Sequence, residues 1–301
     1  MSNNMIRSPL FYVGDKYKLI PQLVDMFPKK INRFYEPFMG GGTVFLNIKA
    51  TKYYLNDIDY NLTNIHRMLF ERSKNQDKFF NDVEKIIYQY NLSRSFKEDV
   101  IPKSLKKRWK KTYFARYNKS GYERLREHVN KNKKNNPLIL YILLIYGFNR
   151  MLRFNGGGCF NLPVGNVDFN KNVVNALNNY FKFVQNKSIL LSSNDFRIFL
   201  SEKDFLSNDF VYLDPPYLIS ACEYNKLWDQ SSEYDLLNII DDLDKKNVKF
   251  ALSNVTHYNG YKNDLLIKWM KRYRVHKIKS NYINYHNNKQ KDINEILITN
   301  Y

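Results

Sequence analysis

The run Val211-Tyr212-Leu213-Asp214-Pro215-Pro216-Tyr217 limits the possible folds more than any other feature of this chain. An unbroken apolar stretch, begun by Phe210, reads as a strand buried on both faces, as in the middle of a parallel sheet. Two consecutive prolines then end it, because neither can donate to a ladder and each fixes its own φ. The strand therefore delivers the carboxylate of Asp214 into a rigid turn at the sheet's carboxyl edge.

Other segments repeat the layout. Lys16 to Met26 puts Leu19, Ile20, Leu23 and Val24 at helical spacing before Pro28 stops the helix. Arg33 to Tyr35 is a short strand that runs into Glu36-Pro37-Phe38-Met39-Gly40-Gly41-Gly42-Thr43, with Val44 to Ile48 opening a helix. Tyr53 to Leu55 is the next strand and ends at Asn56-Asp57-Ile58-Asp59, after which Leu62 to Phe70 is helical. Further strands are expected at Ile189 to Leu191, Phe210 to Leu213, Lys249 to Leu252 and Glu295 to Thr299. Between the two groups, Arg72 to Asn136 reads as charged helices with no strand. A buried helix follows at Leu138 to Tyr146. Then Met151-Leu152-Arg153-Phe154 and Cys159-Phe160-Asn161-Leu162 flank Asn155-Gly156-Gly157-Gly158 as a glycine-rich hairpin. The expected fold is α/β: a Rossmann-like sheet domain made of residues 1–71 and 166–301, interrupted by a mainly helical module at 72–165 that carries the hairpin.

Charge narrows the partner. The chain holds 48 Lys and Arg against 29 Asp and Glu, a net charge of +19, which attracts a polyanion. Between Arg94 and Lys134 stand fifteen basic residues and four acids, so +11 of that excess falls in 41 residues. Trp109, Tyr113, Phe114, Tyr117 and Tyr122 are interleaved there, the pattern of a nucleic-acid contact, although a solvated helical face would carry the same charges. Lys106, Lys107, Arg108, Lys110 and Lys111 are the densest cluster. Cys159 and Cys222 are far apart, and His66, His128, His257, His276 and His286 are scattered without ligand spacing, so no metal is implied and the histidines read as surface or packing residues. The amino terminus lacks an apolar leader and the longest apolar run is about half of the ~20 residues that span a bilayer. A soluble, cytoplasmic protein in a reducing setting is expected.

Two constellations point to chemistry. A carboxylate, a carbonyl fixed by proline and an aromatic ring, here Asp214, the Pro215 carbonyl and Tyr217, suit methyl transfer to the exocyclic N6 amine of adenine. The first two take its N–H bonds and redirect a lone pair otherwise delocalised into the ring, and the third stacks on an extruded base. Gly40-Gly41-Gly42 follows a strand ending in Glu36, and Asp57 ends the next strand roughly 20 residues on, the arrangement that lets a backbone approach a nucleoside and an acid bind its ribose.

Tyr12, Gly14 and Lys16, then Glu36-Pro37-Phe38 with Gly40 and Gly42, then Asp57, then Asp214-Pro215-Pro216-Tyr217 resemble in order and spacing the Dam-type DNA adenine-N6 methyltransferases, the alpha group of the D12 class. The resemblance runs on through Phe148 to Gly165 and Glu295 to Asn300, nearly the whole chain. It implies S-adenosylmethionine held by Tyr12, Lys16, Glu36, Phe38, Gly40, Asp57, Asp195 and Asp214, with no metal, and catalysis by Asp214, Pro215, Pro216 and Tyr217. It also implies double-stranded DNA as partner, met by Asn149, Met151, Arg153, Asn155, Pro163 and Asn166 of the hairpin and by the basic cluster, with Arg153 the best base reader. The polar stretch Asn281 to Asp292 resembles the loop that closes over substrate. The sequence leaves the oligomeric state open, a monomer included, and the chain is expected to act as the modification half of a restriction system or as a solitary phage or bacterial enzyme.

The chain departs from the family twice. Gly14-Asp15-Lys16 replaces the usual Gly-Gly-Lys. Pro163-Val164-Gly165-Asn166 has Asn where readers of GATC carry Arg, so the target either differs from GATC at its outer positions or is read there by another residue, with Lys171 a distant candidate. Two alternatives stay open: a methyltransferase acting on another amine, such as cytosine N4 or an RNA base, and a catalytically idle DNA-binding subunit.

Overall fold

The short apolar runs become neighbours in one sheet. The computed structural model describes residues 5–98, 100–132, 135–220, 228–279 and 293–301. In it β1 (Ile31–Glu36), β2 (Ala50–Asn56), β3 (Ser188–Ser192), β4 (Phe210–Leu213) and β5 (Lys249–Tyr258) run parallel in the order β3-β2-β1-β4-β5. β6 (Tyr261–Lys262) folds back on β5, and β7 (Arg274–Lys277) and β8 (Ile293–Thr299) extend the sheet antiparallel in the order β5-β8-β7. The result is a mixed α/β fold around a mostly parallel sheet. β4 sits inside it as its sequence demands: Val211, Tyr212 and Leu213 are wholly buried, Tyr212 and Phe210 against Phe27 on one face. Val211 and Leu213 join a core with Leu236, Ile240, Leu266 and Trp269.

By packing, the chain divides into two units: Met1–Asp15, Gly40–Leu46 and Asp59–Lys187 form one, and Lys16–Met39, Asn47–Ile58 and Ser188–Tyr301 the other. The second unit holds the entire sheet described above, with α1 (Ile20–Met26), α8 (Phe196–Ser201), α9 (Gln230–Lys245) and α10 (Asp264–Trp269). The first unit is helical, with α2 (Tyr60–Arg72), α3 (Gln76–Gln89), α4 (Lys103–Arg108), α5 (Tyr113–Asn132), α6 (Pro137–Tyr146) and α7 (Lys171–Val184). α6 is apolar on every face and is packed on all sides, which makes it the unit's central element. Asn136 caps it by accepting from the Leu138 amide at 2.9 Å, with Pro137 in its first turn. This division differs from the sequence segment 72–165, because α2 and α7 pack with the inserted helices.

Two helix expectations are corrected. The helix sought over Lys16 to Met26 begins only at Ile20, where Pro21 fits the first turn because no partner is needed for its missing N–H. The helix expected to open at Val44 to Ile48 is a single 3₁₀ turn, Phe45–Asn47, since β2 starts at Ala50 and leaves no length for more. The glycine-rich hairpin closes on one antiparallel bridge, Phe154 with Phe160, and no longer ladder. Cys222, His286 and the Asn281 to Asp292 stretch lie outside the described residues. No helix among the described residues is long and apolar enough to cross a membrane.

Candidate active site

Parallel register brings the carboxyl ends of β1 to β4 to one edge of the second unit's sheet. Glu36 pairs with Leu55, Leu55 with Leu191, and Tyr35 with Val211. Glu36, Asp57, Asp195 and Asp214, each at the end of its own strand or just past it, are thereby gathered at that edge. Strand order reverses there, β2 lying on one side of β1 and β4 on the other, which is where open α/β sheets place ligands. Asn56, fully buried, ties the loops together. Its side-chain amide donates to the Pro37 carbonyl at 3.0 Å and the Asn194 carbonyl at 2.9 Å, and its oxygen accepts from the Asn194 amide. The Ser193 hydroxyl donates to the Asp57 carbonyl at 3.1 Å.

Asp214 is the centre of a charged cluster. Lys16 Nζ lies 2.9 Å from Asp214 Oδ1 and 3.9 Å from Glu295 Oε1. The Tyr217 hydroxyl donates to Asp214 Oδ1 at 3.0 Å and accepts from Lys16 Nζ at 2.9 Å. The same ammonium lies 5.1 Å from the centroid of the Tyr217 ring, within cation–π range. Lys16 is set by the turn that opens α1, where the Leu19 and Ile20 amides both donate to its carbonyl. Lys16, Asp214 and Tyr217 are thus brought together, and Glu295 joins them without having been singled out as a site residue. Its signal was an acid inside the apolar run Ile293 to Ile298. Only the antiparallel pairing of Val255 with Glu295 shows where it goes.

The remaining second-unit residues have local partners. Asp195 caps α8 through the Arg197 amide at 2.8 Å and pairs with the Arg197 guanidinium at 3.0 Å, which also holds Asp235. Phe38 packs on Phe196 and Trp228, with centroids 5.3 and 5.7 Å away. Glu36 is buried.

In the first unit, Tyr12 meets the glycine turn directly: a Cβ on Gly41 would fall 2.8 Å from Tyr12 Cβ, so only glycine admits the contact. Ser8 donates to the Gly41 carbonyl. His66, fully buried, contacts the Gly40 carbonyl through Nε2 at 3.1 Å and the Tyr180 hydroxyl through Nδ1 at 2.9 Å. Burial pushes its pKa down to about 4, so the ring is neutral near pH 7, and Nε2–H donates to Gly40 while Nδ1 accepts from Tyr180. Asp15, the departure from Gly-Gly-Lys, lies 3.8 Å from Arg7 Nε.

The hairpin's polar side chains are largely committed within it. Arg153 Nε and Nη2 donate to the side-chain oxygen and the carbonyl of Asn161, both at 2.9 Å. Asn155 Oδ1 accepts from the Gly157 and Cys159 amides and shapes the tip. Asn166 donates to the Lys111 carbonyl and accepts from the Ala115 amide at 3.2 Å, which fastens the start of α5. The Pro163 carbonyl accepts from Phe148, Asn149 has a φ of 54°, and Met151 is half-buried. Lys107, Arg108, Lys110 and Lys111 are exposed, and Lys106 lies 5.8 Å from the Tyr113 ring.

The sequence pattern described as "D12 class N6 adenine-specific DNA methyltransferase" matches residues 12–284. The chain belongs to that family. It is 36% identical over 307 residues to the modification methylase StsI of Streptococcus sanguinis, covering 98% of this chain and 43% of that protein. It is 35% identical over 310 residues to the type II methyltransferase M.FokI of Planomicrobium okeanokoites, covering 100% of this chain and 44% of that one. Against the DNA adenine methylase of Escherichia coli K12 it is 26% identical over 282 residues, 91% of this chain and 87% of the relative. The chain thus spans under half the length of the first two.

Proposed function

We propose that this chain is a site-specific DNA adenine methyltransferase, moving a methyl group from S-adenosylmethionine to N6 of an adenine flipped out of duplex DNA, as the modification half of a restriction system. The observation that carries this reading is Asp214 at the end of a buried strand, followed by Pro215-Pro216-Tyr217 and held by Lys16. Family membership and the modification methylases it resembles support it.

The family implies S-adenosylmethionine, and the donor set fits it. Carboxylates at the ends of β1, β2 and β4 and beyond β3 can meet an amine, a sulfonium and ribose hydroxyls, and the Phe38 ring offers an apolar wall. Of these, Asp57 takes the ribose and Asp195 the side of the adenine. Lys16, Glu36 and Asp214 serve the amino-acid end. Tyr12 and Gly40 are assigned to the same ligand by resemblance alone. When bound, S-adenosylmethionine would supply a methyl carried on a positively charged sulfur, with S-adenosylhomocysteine as the product.

For the transfer itself, Asp214 accepts one N6–H and the Pro215 carbonyl the other, so that the N6 lone pair turns out of conjugation toward the methyl. Lys16 holds Asp214 in place through their ion pair. Tyr217 stacks on the extruded adenine, and Pro216 keeps the turn from relaxing. The proton released from N6 passes to Asp214 and then to water. Residues 72–165 act as the target-recognition module within a methyltransferase domain of 1–71 and 166–301. Arg153, Asn149, Met151, Asn155, Pro163 and Asn166 face the bases, while Lys106, Lys107, Arg108, Lys110 and Lys111 face phosphates.

The test is nucleoside mass spectrometry with long-read mapping on DNA from cells expressing the chain. N6-methyladenine at one motif is expected. Asp214→Ala should abolish it while DNA binding persists, a barrier increase of about 3 kcal/mol or more. Methylated cytosine, unmodified DNA, or a variant keeping more than about a tenth of the turnover, where ~1.4 kcal/mol is tenfold, would overturn the assignment.

A further inference from the structure

Phe11, Asn149 and Arg150 adopt left-handed backbone, with φ of 48°, 54° and 49°. Asn tolerates that region through local hydrogen bonds. Phe and Arg do not, and such strain persists where surroundings enforce it, commonly at functional sites. The two strained stretches are fastened to each other, since the Val13 amide donates to the Arg150 carbonyl at 3.3 Å. Their side chains also meet: the Arg150 guanidinium lies 4.4 Å from the centroid of the Phe11 ring, and that of Arg7 lies 4.6 Å from the same ring.

Arg150 is under-compensated. Its Nε is out of contact with water and finds no acceptor among the described residues. Burial pulls its pKa down; Tyr141 and, more weakly, Asp168 oppose this, and the charge of Arg7 adds to it. Asp168 is already engaged by Ser93 and Ser95, and Asp15 lies beside Arg7. A desolvated guanidinium is a cost carried by the folded chain, and an oxyanion that meets its Nη groups offsets that cost, although the covered Nε stays out of its reach. The planar fork of arginine matches a phosphate, and stacking on an aromatic ring fixes its plane beforehand.

We infer that Arg150 and Arg7, stacked on Phe11, form a binding site for a phosphate of the DNA backbone at the root of the recognition hairpin. The inference rests on duplex DNA being the substrate. A guanidinium held against a ring, with its Nε covered, has no reach into a groove, so this pair grips the backbone and does not read bases. The strain at Arg150 is what keeps the charge in place: glycine there would relax the backbone and remove the cation.

Arg150→Gly and Arg7→Gln test it, with fluorescence anisotropy of a labelled duplex measured across salt concentrations. Arg150→Gly should lower the slope of log K against log salt by about one unit and weaken binding roughly tenfold at low salt, equally on every duplex tested. Its melting temperature should be unchanged or higher. Arg7→Gln, at the exposed end of the stack, should lower the slope in the same direction, and it decides the matter if Arg150→Gly fails to fold. Wild-type protein that binds duplex while the folded variants keep its slope would overturn the phosphate site alone. So would a loss confined to one sequence, which would make Arg150 a base reader. Wild-type protein that binds no duplex would overturn the DNA-methylation reading and this site with it.

Discussion

Replacing Lys16 with Met leaves two carboxylates side by side where the fold has excluded most water. Lys16 Nζ stands 2.9 Å from Asp214 and 3.9 Å from Glu295, and the three side chains are 8%, 19% and 2% exposed. Removing one partner of a buried pair costs about 3–5 kcal/mol, and the partial exposure of Asp214 favours the lower end. Part of that loss is repulsion. Two unit charges roughly 6 Å apart at an effective dielectric near 20 repel by about 3 kcal/mol. Glu295→Gln in the Lys16→Met background should therefore recover on the order of 2 kcal/mol, although Glu295→Gln alone destabilises. Urea denaturation of wild type, both single variants and the double variant reads the coupling from midpoints at constant slope. Costs that add within about 0.5 kcal/mol would show that Lys16 does not bridge Asp214 and Glu295.

Neutralising Lys107, Lys110 and Lys111 to Gln should weaken binding to all duplexes alike and lower the salt slope by about 2 to 3 units, and an unchanged slope would make the cluster a solvated face. Arg153→Ala should relax discrimination at one guanine by about 1–3 kcal/mol in methylation mapped on random-sequence DNA. An unchanged motif at uniformly lower rate, reproduced by Asn161→Ala, would instead assign Arg153 to holding the hairpin. Burial holds the folded pKa of His66 at about 4 against an ordinary 6.5, so its neutral ring contributes fully above pH 6.5 and loses up to about 3 kcal/mol as pH falls toward 4. Stability measured from pH 7 to 4 should fall less steeply in His66→Gln, and identical profiles would refute the burial argument.

Strands β1 to β5 and β8 were legible because their signals are local, whereas the short, exposed β6 and β7 carry no apolar run to mark them. Phe210 to Leu213 could only be an interior strand, and the two prolines ended it where the structure ends it. Helix starts were less so: apolar spacing continued back to Lys16, but Pro21 allows the helix to begin only one residue before it. The acids at the strand ends were legible for the same local reason, each following an apolar run. What holds them was not. Lys16, Tyr217 and Glu295 are separated by 201 and 78 residues along the chain and meet through strand order, and periodicity says nothing about which strands are neighbours. His66 looked like one of five scattered histidines because its partners, the Gly40 carbonyl and Tyr180, are 26 and 114 residues away.

The hairpin shows a different limit. A sequence gives the capacity of a side chain to read a base, and the fold decides how much of that capacity is already used. Asn166 could pair with adenine by its chemistry, but its amide is engaged at both ends by the backbone of Lys111 and Ala115. It therefore fixes the distance between the basic segment and the hairpin root, a role that the longer, cationic arginine of GATC readers could not fill with the same two bonds. Arg153 is committed to Asn161 along the edge formed by Nε and Nη2. With Nε and one Nη2 proton on Asn161, the edge formed by its two Nη groups is the one whose geometry matches guanine O6 and N7. The bond to Asn161 would orient that edge in advance, reducing the side-chain entropy lost when DNA arrives. On this account anchoring the hairpin and reading a guanine are two uses of one five-donor group. Asn161→Ala should then weaken discrimination at the same guanine as Arg153→Ala, and by less.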